Sequence, residues 1–353
     1  MDLFDSPDFA DHEQVVRVCD ARSGLRGIIA VHSTALGPAI GGCRIRTYDS
    51  EGDALRDVLR LSRGMSYKAA VAGVPFGGGK MVVIADPERD KTPDRLRAIG
   101  VAIEWLGGRC VTGEDVGTTA DDMVHIRATT NHVMGLPSSH GGSGDPSART
   151  ALGCLMGIAA SVRHRLGRAD LHCIRVAVQG LGNVGWNLCH LLTGAGASLI
   201  VSDIRSNLVE QARQTFGAAC VPPEHICSVE ADVFAPCALG AVINDTSVSL
   251  LQVSVVAGGA NNQLANEERH ADALMARGIL YAPDYVINAG GMIQLAVERT
   301  GLDWAVVERR VRQIGDTLSE IFLRAQAEKL PTAIVAAALA QERIARASHR
   351  IMP

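Results

Sequence analysis

The stretch from Ile174 to Asp203 constrains the fold more than any other part of the sequence. An apolar run, Ile174-Arg175-Val176-Ala177-Val178-Gln179, leads into Gly180-Leu181-Gly182-Asn183-Val184-Gly185; a helical stretch opens at Trp186, and Leu199-Ile200-Val201-Ser202 ends in Asp203. Strand, glycine turn, helix, strand and terminal acid follow in order within about thirty residues, the context in which spaced glycines carry meaning. Three such glycines alone could be a chance turn. With both strands and the acid they predict a βαβ unit opening a doubly wound parallel sheet.

Each residue type in that unit has a physical reason. Gly180 and Gly182 let the chain turn beneath a pyrophosphate, and Gly185 lets the helix pack closely on the strand. Leu181, Asn183 and Val184 complete a turn whose backbone N–H groups, at a helix start, meet an anion. Asp203 would accept from a ribose 2′-hydroxyl and repel a 2′-phosphate, which favours NAD. Arg205, just beyond it, is either a holder of that phosphate, and so of NADP, or a solvated loop charge.

Further short strands, Val233-Phe234-Ala235, Val253-Ser254-Val255-Val256 and Ile279-Leu280-Tyr281-Ala282, each run into small or polar residues. These are Pro236-Cys237-Ala238, then Ala257 to Asn262, then Pro283-Asp284. Carboxyl ends of strands line the cofactor crevice in such a sheet. Asn261 and Asn262 are therefore contact candidates, with plain turn residues as the alternative.

Upstream, Lys68 stands in Met65-Ser66-Tyr67-Lys68-Ala69-Ala70 and Lys80 in Pro75-Phe76-Gly77-Gly78-Gly79-Lys80. Small and apolar neighbours flank both, so each ammonium is expected in a confined space where burial lowers its pKa and a carboxylate is held strongly. Either lysine alone would more simply be a surface loop residue. Yet Lys80 runs straight into Met81-Val82-Val83-Ile84, which reads as a buried strand. Residues 52–66 place Leu55, Val58, Leu59, Ser62 and Met65 on one stripe, with Arg56, Asp57, Arg60 and Arg63 off it, so an amphipathic helix is expected to end just before Lys68.

At 353 residues the chain is long enough for two cores. The expected division is 1–136, 137–330 and a C-terminal helix at 331–353 that packs back on the first domain. His140 to Ser147, the densest cluster of breakers, is the candidate hinge. The alanine-rich tail from Pro331 ends in Arg343, Arg346, His349 and Arg350.

A net charge of −4 gives no basic field for nucleic acid, and no apolar run approaches the length of a membrane helix. The opening, Met1-Asp2-Leu3-Phe4-Asp5-Ser6-Pro7-Asp8, lacks the basic and apolar regions of a signal peptide. Nine scattered cysteines read as free thiols in a reducing compartment, so a cytoplasmic location is expected. No histidine or cysteine spacing suggests a metal site.

Seven motifs together resemble a known family. They are Gly37-Pro38-Ala39-Ile40-Gly41-Gly42, Gly64-Met65-Ser66-Tyr67-Lys68, the glycines before Lys80, Gly113-Glu114-Asp115-Val116-Gly117-Thr118, the turn at 180–185, Ala260-Asn261-Asn262-Gln263, and Asp284-Tyr285-Val286-Ile287 with Asn288-Ala289-Gly290-Gly291. In this order they resemble the leucine/valine/phenylalanine branch of the amino-acid dehydrogenases that include glutamate dehydrogenase. The match runs essentially end to end.

The resemblance implies an α/β protein: an N-terminal α/β domain for substrate binding and oligomerisation, and a doubly wound Rossmann NAD domain, with the active site in the cleft between them. It implies NAD-dependent oxidative deamination of an L-amino acid to a 2-oxo acid and ammonia, and the reverse, by a homo-oligomer. Lys68 would hold the substrate carboxylate, helped by the Gly41 backbone and the Asn262 amide. Lys80, its pKa depressed by burial and a neighbouring cation, would be the base that activates water, and Asp115 would relay protons to and from the amino group. Taken alone, Asp115 would be a turn or helix-cap residue. Thr150, Ala238 and Ala260 join the cofactor contacts by the same resemblance.

Relatives acting on glutamate carry a lysine where this chain has Ile40. An apolar residue there leaves a second carboxylate unpaired, so large apolar side chains such as those of phenylalanine, leucine or valine are expected. Leucine-type relatives tend to have alanine at Gly113 and a smaller residue at Leu295, whereas phenylalanine-type relatives resemble this chain at both; Met292 is a further pocket residue that could fit either. Glutamate-type and tryptophan-type dehydrogenases of the same fold, or a noncatalytic NAD-binding sensor, remain the alternatives.

Overall fold

The computed structural model describes residues 3–348, so Met1 and Asp2 of the acidic opening and His349 and Arg350 of the basic tail lie outside the described residues. The chain forms two compact units that interleave in sequence. Unit 1 comprises Met1–Gly144, Leu295–Gly301 and Ala340–Pro353; unit 2 comprises Asp145–Gln294 and Leu302–Leu339. Residues 137–144 thus group with unit 1 and residues 331–339 with unit 2, a division that a reading in contiguous segments does not reach. One tie within unit 1 is Glu298, whose carboxylate accepts from the Gly135 N–H at 2.9 Å and from the N–H and hydroxyl of Ser143 at 2.8 and 2.7 Å.

Unit 1 is built on strands β1 (Gln14–Asp20), β2 (Leu25–Ser33), β3 (Ala39–Arg46), β4 (Gly77–Ile84) and β5 (Cys110–Glu114), with helices α1 (Glu51–Ala72), α2 (Pro93–Glu104) and α3 (Ala120–Arg127). The sheet runs β1-β2-β4-β3-β5, antiparallel across β1, β2 and β4 and parallel across β4, β3 and β5. Strand alternation gives it two cores. Ile28, Ala30 and Val82 meet Ala54, Leu55, Val58 and Leu59 of α1 on one face. Ile29, Cys43, Ile45, Met81 and Val83 meet Leu96, Ile99 and Ile103 of α2 and Met123 and Ile126 of α3 on the other.

Helix α1 corrects one expectation. Lys68 lies inside it, not just beyond its end, because Lys68-Ala69-Ala70-Val71-Ala72 contains no breaker and buries Ala69, Ala70 and Val71. The helix starts at Ser50, whose side chain accepts from the Asp53 N–H, and stops at Gly73 in the left-handed region at φ 65°. Its last turn has no cation of its own, and Arg343 supplies one by donating to the carbonyls of Ala70 and Val71 at 3.2 and 3.0 Å.

Unit 2 holds α4 (Ser147–Leu166) and a six-stranded sheet of β6 (Arg175–Gln179), β7 (Ser198–Ser202), β8 (Ala219–Cys220), β9 (Val233–Pro236), β10 (Val255–Val256) and β11 (Leu280–Tyr281). All five pairings are parallel, and the order β11-β10-β9-β6-β7-β8 reverses direction between β6 and β9. That is the doubly wound order, with its topological switch point at the carboxyl ends of β6 and β9. Helix α5 (Asn183–Gly194) follows β6 directly.

Strand β10 is shorter than expected: the N–H groups of Ser254 and Val255 both turn to the Asp232 carbonyl, which leaves Val253 and Ser254 outside the ladder. Beyond β11 come short helices at Asp284–Ile287 and Gly290–Leu295, and longer ones at Trp304–Arg312, Ile314–Glu328 and Thr332–Ser348. Among the described residues, no helix is long and apolar enough to cross a membrane.

Candidate functional site

On the α1 side of the unit 1 sheet, alternation places Ile40, Gly42 and Arg44 of β3, Gly78 and Lys80 of β4, and Gly113 of β5 on one face. Helix α1 covers that face. Its Asp57 and Lys68 are eleven residues apart, about three turns, and so share one side of the helix.

Lys80 is only 5% exposed, and its Nζ lies 3.0 Å from Asp115 Oδ2. The Arg44 Nε donates to the same oxygen at 2.8 Å, and Arg44 Nη1 reaches Asp57 Oδ2 at 3.1 Å. The Tyr48 hydroxyl donates to Asp57 Oδ2 at 2.6 Å. Two cations and two carboxylates therefore balance in a row from β4 to α1. Burial pulls the Lys80 pKa below its usual range; Asp115 opposes this and Arg44 adds to it. Burial would raise the Asp115 carboxyl, but Lys80 and Arg44 outweigh it and hold it below the usual carboxylate range.

Asp115 is fixed from its backbone. Its N–H donates to Thr118 Oγ1 at 2.8 Å, and that hydroxyl lies 3.0 Å from the Cys43 carbonyl, tying the loop after β5 to β3. The turn closes through Gly117 at φ 81°, where a Cβ would sit 2.0 Å from the Ile45 carbonyl. Beside it the Cys43 thiol, pushed up to about 12 chiefly by burial, stays neutral.

The glycines of β3 and β5 have distinct reasons. A Cβ at Gly41 would stand 1.7 Å from the Gly79 carbonyl, so β3 and β4 can meet there only through glycine. At Gly113 a Cβ would come no nearer than 3.4 Å, to the Met134 carbonyl, leaving about a methyl of space. Ile40 is buried at 5% exposure and is apolar.

The sequence reading missed Arg44, Tyr48 and Asp57, and it put Asp57 among the charges off the buried stripe. Asp57 is in fact half-buried and doubly bonded. Only the tertiary pairing of β3 with α1 reveals this, since a charge next to an apolar stripe carries no local signal.

In unit 2, three glycines shape the turn before α5. Gly180 has φ 95°, and a Cβ there would lie 2.8 Å from that of Ala238. At Gly185 a Cβ would overlap the Gly180 carbonyl at 1.9 Å. Gly182, the residue before α5, would place its Cβ in open space, with the helix N-terminus behind it. A pyrophosphate fits such a cradle. Asn183 donates to Asp145 Oδ2 at 3.2 Å, and the Thr150 hydroxyl donates to the Pro146 carbonyl at 3.1 Å in the first turn of α4.

Asp203 stands at the end of β7 with its side chain 5% exposed. It accepts from the Leu181 N–H at 2.7 Å and from Arg205 through its N–H, Nε and Nη2 at 2.9, 3.0 and 3.1 Å. Led by the Arg205 side chain, these bonds hold the carboxyl down to about 2. It is an anion at any working pH. The Arg205 guanidinium is spent on it.

Asn261 and Asn262 are both exposed, Asn262 at φ 50°, and Asn261 Oδ1 accepts from Asn288 Nδ2 at 2.7 Å. Buried Gln263 closes this loop by donating to the carbonyls of Gly258 and Ala260 at 2.7 and 3.0 Å, and its N–H donates to Asp284 Oδ2 at 2.9 Å. Nothing in Ala260-Asn261-Asn262-Gln263 as a sequence shows that Gln263 has this task. Met292 is buried and Leu295 half-buried, three residues apart on the helix Gly290–Leu295. Among the described residues, no group of three metal-ligating side chains comes together.

Residues 12–132 match the family model described as Glu/Leu/Phe/Val dehydrogenase, dimerisation domain, and residues 141–212 and 202–350 match that described as Glutamate/Leucine/Phenylalanine/Valine dehydrogenase. Leucine dehydrogenase of Bacillus cereus is 47% identical over 98% of this chain and 94% of its own length. Phenylalanine dehydrogenase of Bacillus thermotolerans is 47% identical over 95% of this chain and 89% of its own. Among solved structures, L-tryptophan dehydrogenase from Nostoc punctiforme superimposes with a TM-score of 0.87 at 44% identity, covering 96% of this chain and 97% of that one.

Proposed function

Because this chain belongs to the Glu/Leu/Phe/Val dehydrogenase family, whose members are amino-acid oxidoreductases using a nicotinamide cofactor, we propose that it oxidatively deaminates a large apolar L-amino acid with NAD. The amino acid, water and NAD give the 2-oxo acid, ammonium, NADH and a proton, and the reverse reaction is reductive amination. The observation that carries this reading is the buried Lys80 ammonium 3.0 Å from Asp115.

In this reading Lys68 binds the substrate carboxylate, next to the Gly41 backbone. Lys80 acts as a neutral amine: it takes a proton from the water that attacks the iminium carbon, and later returns it. Asp115 takes and returns the amino-group proton. The bound nicotinamide would supply the hydride acceptor. Ile40 receives an apolar side chain, and the space at Gly113 widens that end of the site. Equal identity to leucine and phenylalanine dehydrogenases does not rank the two side chains.

For the cofactor, the open space at Gly182 suits a pyrophosphate and the Asp203 anion suits a free ribose 2′-hydroxyl. With Arg205 already paired to Asp203, a 2′-phosphate has no free cation there, so NAD is favoured over NADP. We also read the protein as a cytoplasmic homo-oligomer: all nine cysteines are free, and the first matching model is described as a dimerisation domain.

The test is the formation of NADH at alkaline pH with leucine, valine, phenylalanine, tryptophan and glutamate in turn, repeated with NADP. Turnover on the apolar side chains with NAD, and little on glutamate, is expected. Silence on all five while NAD still binds would favour a noncatalytic sensor instead.

A further inference from the structure

We propose that Arg44 is a positioning residue that shares the charge of Asp115, so that Lys80 can release its proton at a pH where a lone lysine–aspartate pair would keep it. The inference rests on the roles given above to Lys80 and Asp115 and adds a third residue to them.

A buried lysine–aspartate pair resists deprotonation, because removing the lysine proton leaves a carboxylate buried without a partner. Here Arg44 Nε already sits 2.8 Å from the oxygen that Lys80 uses, so a cation remains on Asp115 when Lys80 becomes neutral. Arginine suits the task because it does not deprotonate and its planar fork can hold two carboxylates at once. The other arm, on Asp57 at 3.1 Å, with Tyr48 on that carboxylate at 2.6 Å, stops the guanidinium from turning wholly onto Asp115.

Other charged groups near Lys80 are accounted for. Cys43 on β3 is a neutral thiol, and Asp122 of α3 is occupied by Lys91 at 2.8 Å and by its own helix cap. The β2 residue opposite Lys80 is Ala30, which carries no charge. From α1, which packs on this face, come Asp57, held by Arg44 and Tyr48, and Lys68 on the same side of the helix. Arg44 is thus the group whose removal most changes the charge on Asp115 without touching either member of the pair.

The test compares the pH dependence of kcat/KM for the apolar amino acid in wild type, Arg44→Gln, Arg44→Lys and Asp57→Asn, with melting curves for each. Removing Arg44 leaves Asp115 to Lys80 alone, so the acid limb should move up by about one pH unit or more. Removing the Asp57 charge leaves more of Arg44's charge uncompensated, so the limb should move down. Arg44→Lys, a single point charge that cannot span both carboxylates, should fall between wild type and Arg44→Gln.

A purely structural role would lower the rate at every pH and leave the limb in place; that result overturns the proposal. Should Arg44→Gln not fold, Asp57→Asn decides alone, and a limb unmoved or moved up counts against the proposal. Competitive labelling of Lys80 with acetic anhydride across pH reads the same shifts by peptide mass spectrometry without turnover. Failure of the dehydrogenase reading would appear separately, as no NADH from wild type.

Discussion

Lys80 Nζ and Asp115 Oδ2 stand 3.0 Å apart, one from the middle of a strand and the other from a loop closed by Gly117 and Thr118. Such a pair is stable only when each charge faces the other, and it lies where burial and a second cation both work against the lysine proton. A general base needs that tension. In the proposed role Lys80 must be neutral, and because burial and Arg44 lower its pKa from the ordinary lysine value of about 10.4, activity should rise with pH through that lowered value.

The glycine turn leading into α5 separates two glycines by consequence. Gly185→Ala should lower the melting temperature by several degrees, since its Cβ would overlap the Gly180 carbonyl at 1.9 Å. Gly182→Ala, whose Cβ meets nothing, should melt with wild type yet bind NAD at least about tenfold more weakly by titration calorimetry. Equal NAD affinity in wild type and Gly182→Ala would remove the pyrophosphate from that turn.

Asp203→Ser should change cofactor choice. It removes the anion that meets a 2′-phosphate and frees Arg205 to bind one, so the ratio of kcat/KM for NADP over NAD should rise by about tenfold or more. An unchanged ratio would mean the ribose lies elsewhere.

Under the proposed function, side-chain choice rests on Ile40, which is buried and apolar. Replacing it by Ile40→Lys puts a cation on the face shared with Lys80, and the ratio of glutamate to leucine turnover should rise on the order of 100-fold. Steady-state kinetics on both amino acids decides it; a ratio within a few-fold of wild type would place the side chain away from Ile40.

How much of this was legible in sequence depended on distance along the chain. The βαβ unit was readable because its glycines, strands and acid lie within about thirty residues and each has a local reason. The motifs around Lys68, Lys80 and Asp115 were readable as a resemblance. Arg44, Tyr48 and Asp57 were not: β3 and α1 become neighbours only in the folded sheet, and nothing near Asp57 says that its carboxylate turns inward. The length of α1 was missed because Lys68 looked like punctuation in a run of helix-forming residues.

Acid should loosen unit 1 before carboxylates titrate. His12 Nε2 lies 3.1 Å from the Leu59 carbonyl and 3.0 Å from Ser62 Oγ, and His32 Nδ1 lies 2.8 Å from Ser66 Oγ, so both rings pin β2 and the opening segment to α1. Burial, then His12 and Arg63, pull His32 down to about 4. The unfolded chain therefore binds a proton that the folded one refuses, and this stability is present above the ordinary value of 6.5 and lost as pH falls toward 4. The melting temperature should drop across that window in wild type and less in His32→Gln; parallel curves would contradict the assignment.

The most direct measurement is NADH formation by Lys80→Ala beside wild type, at saturating NAD and a saturating apolar amino acid. Arg44 still holds Asp115 in that variant, so it should fold and bind NAD. A fall in kcat of about 100- to 10,000-fold with NAD affinity kept is the expected result. A folded Lys80→Ala that turns over within tenfold of wild type would show that the buried lysine is not the base.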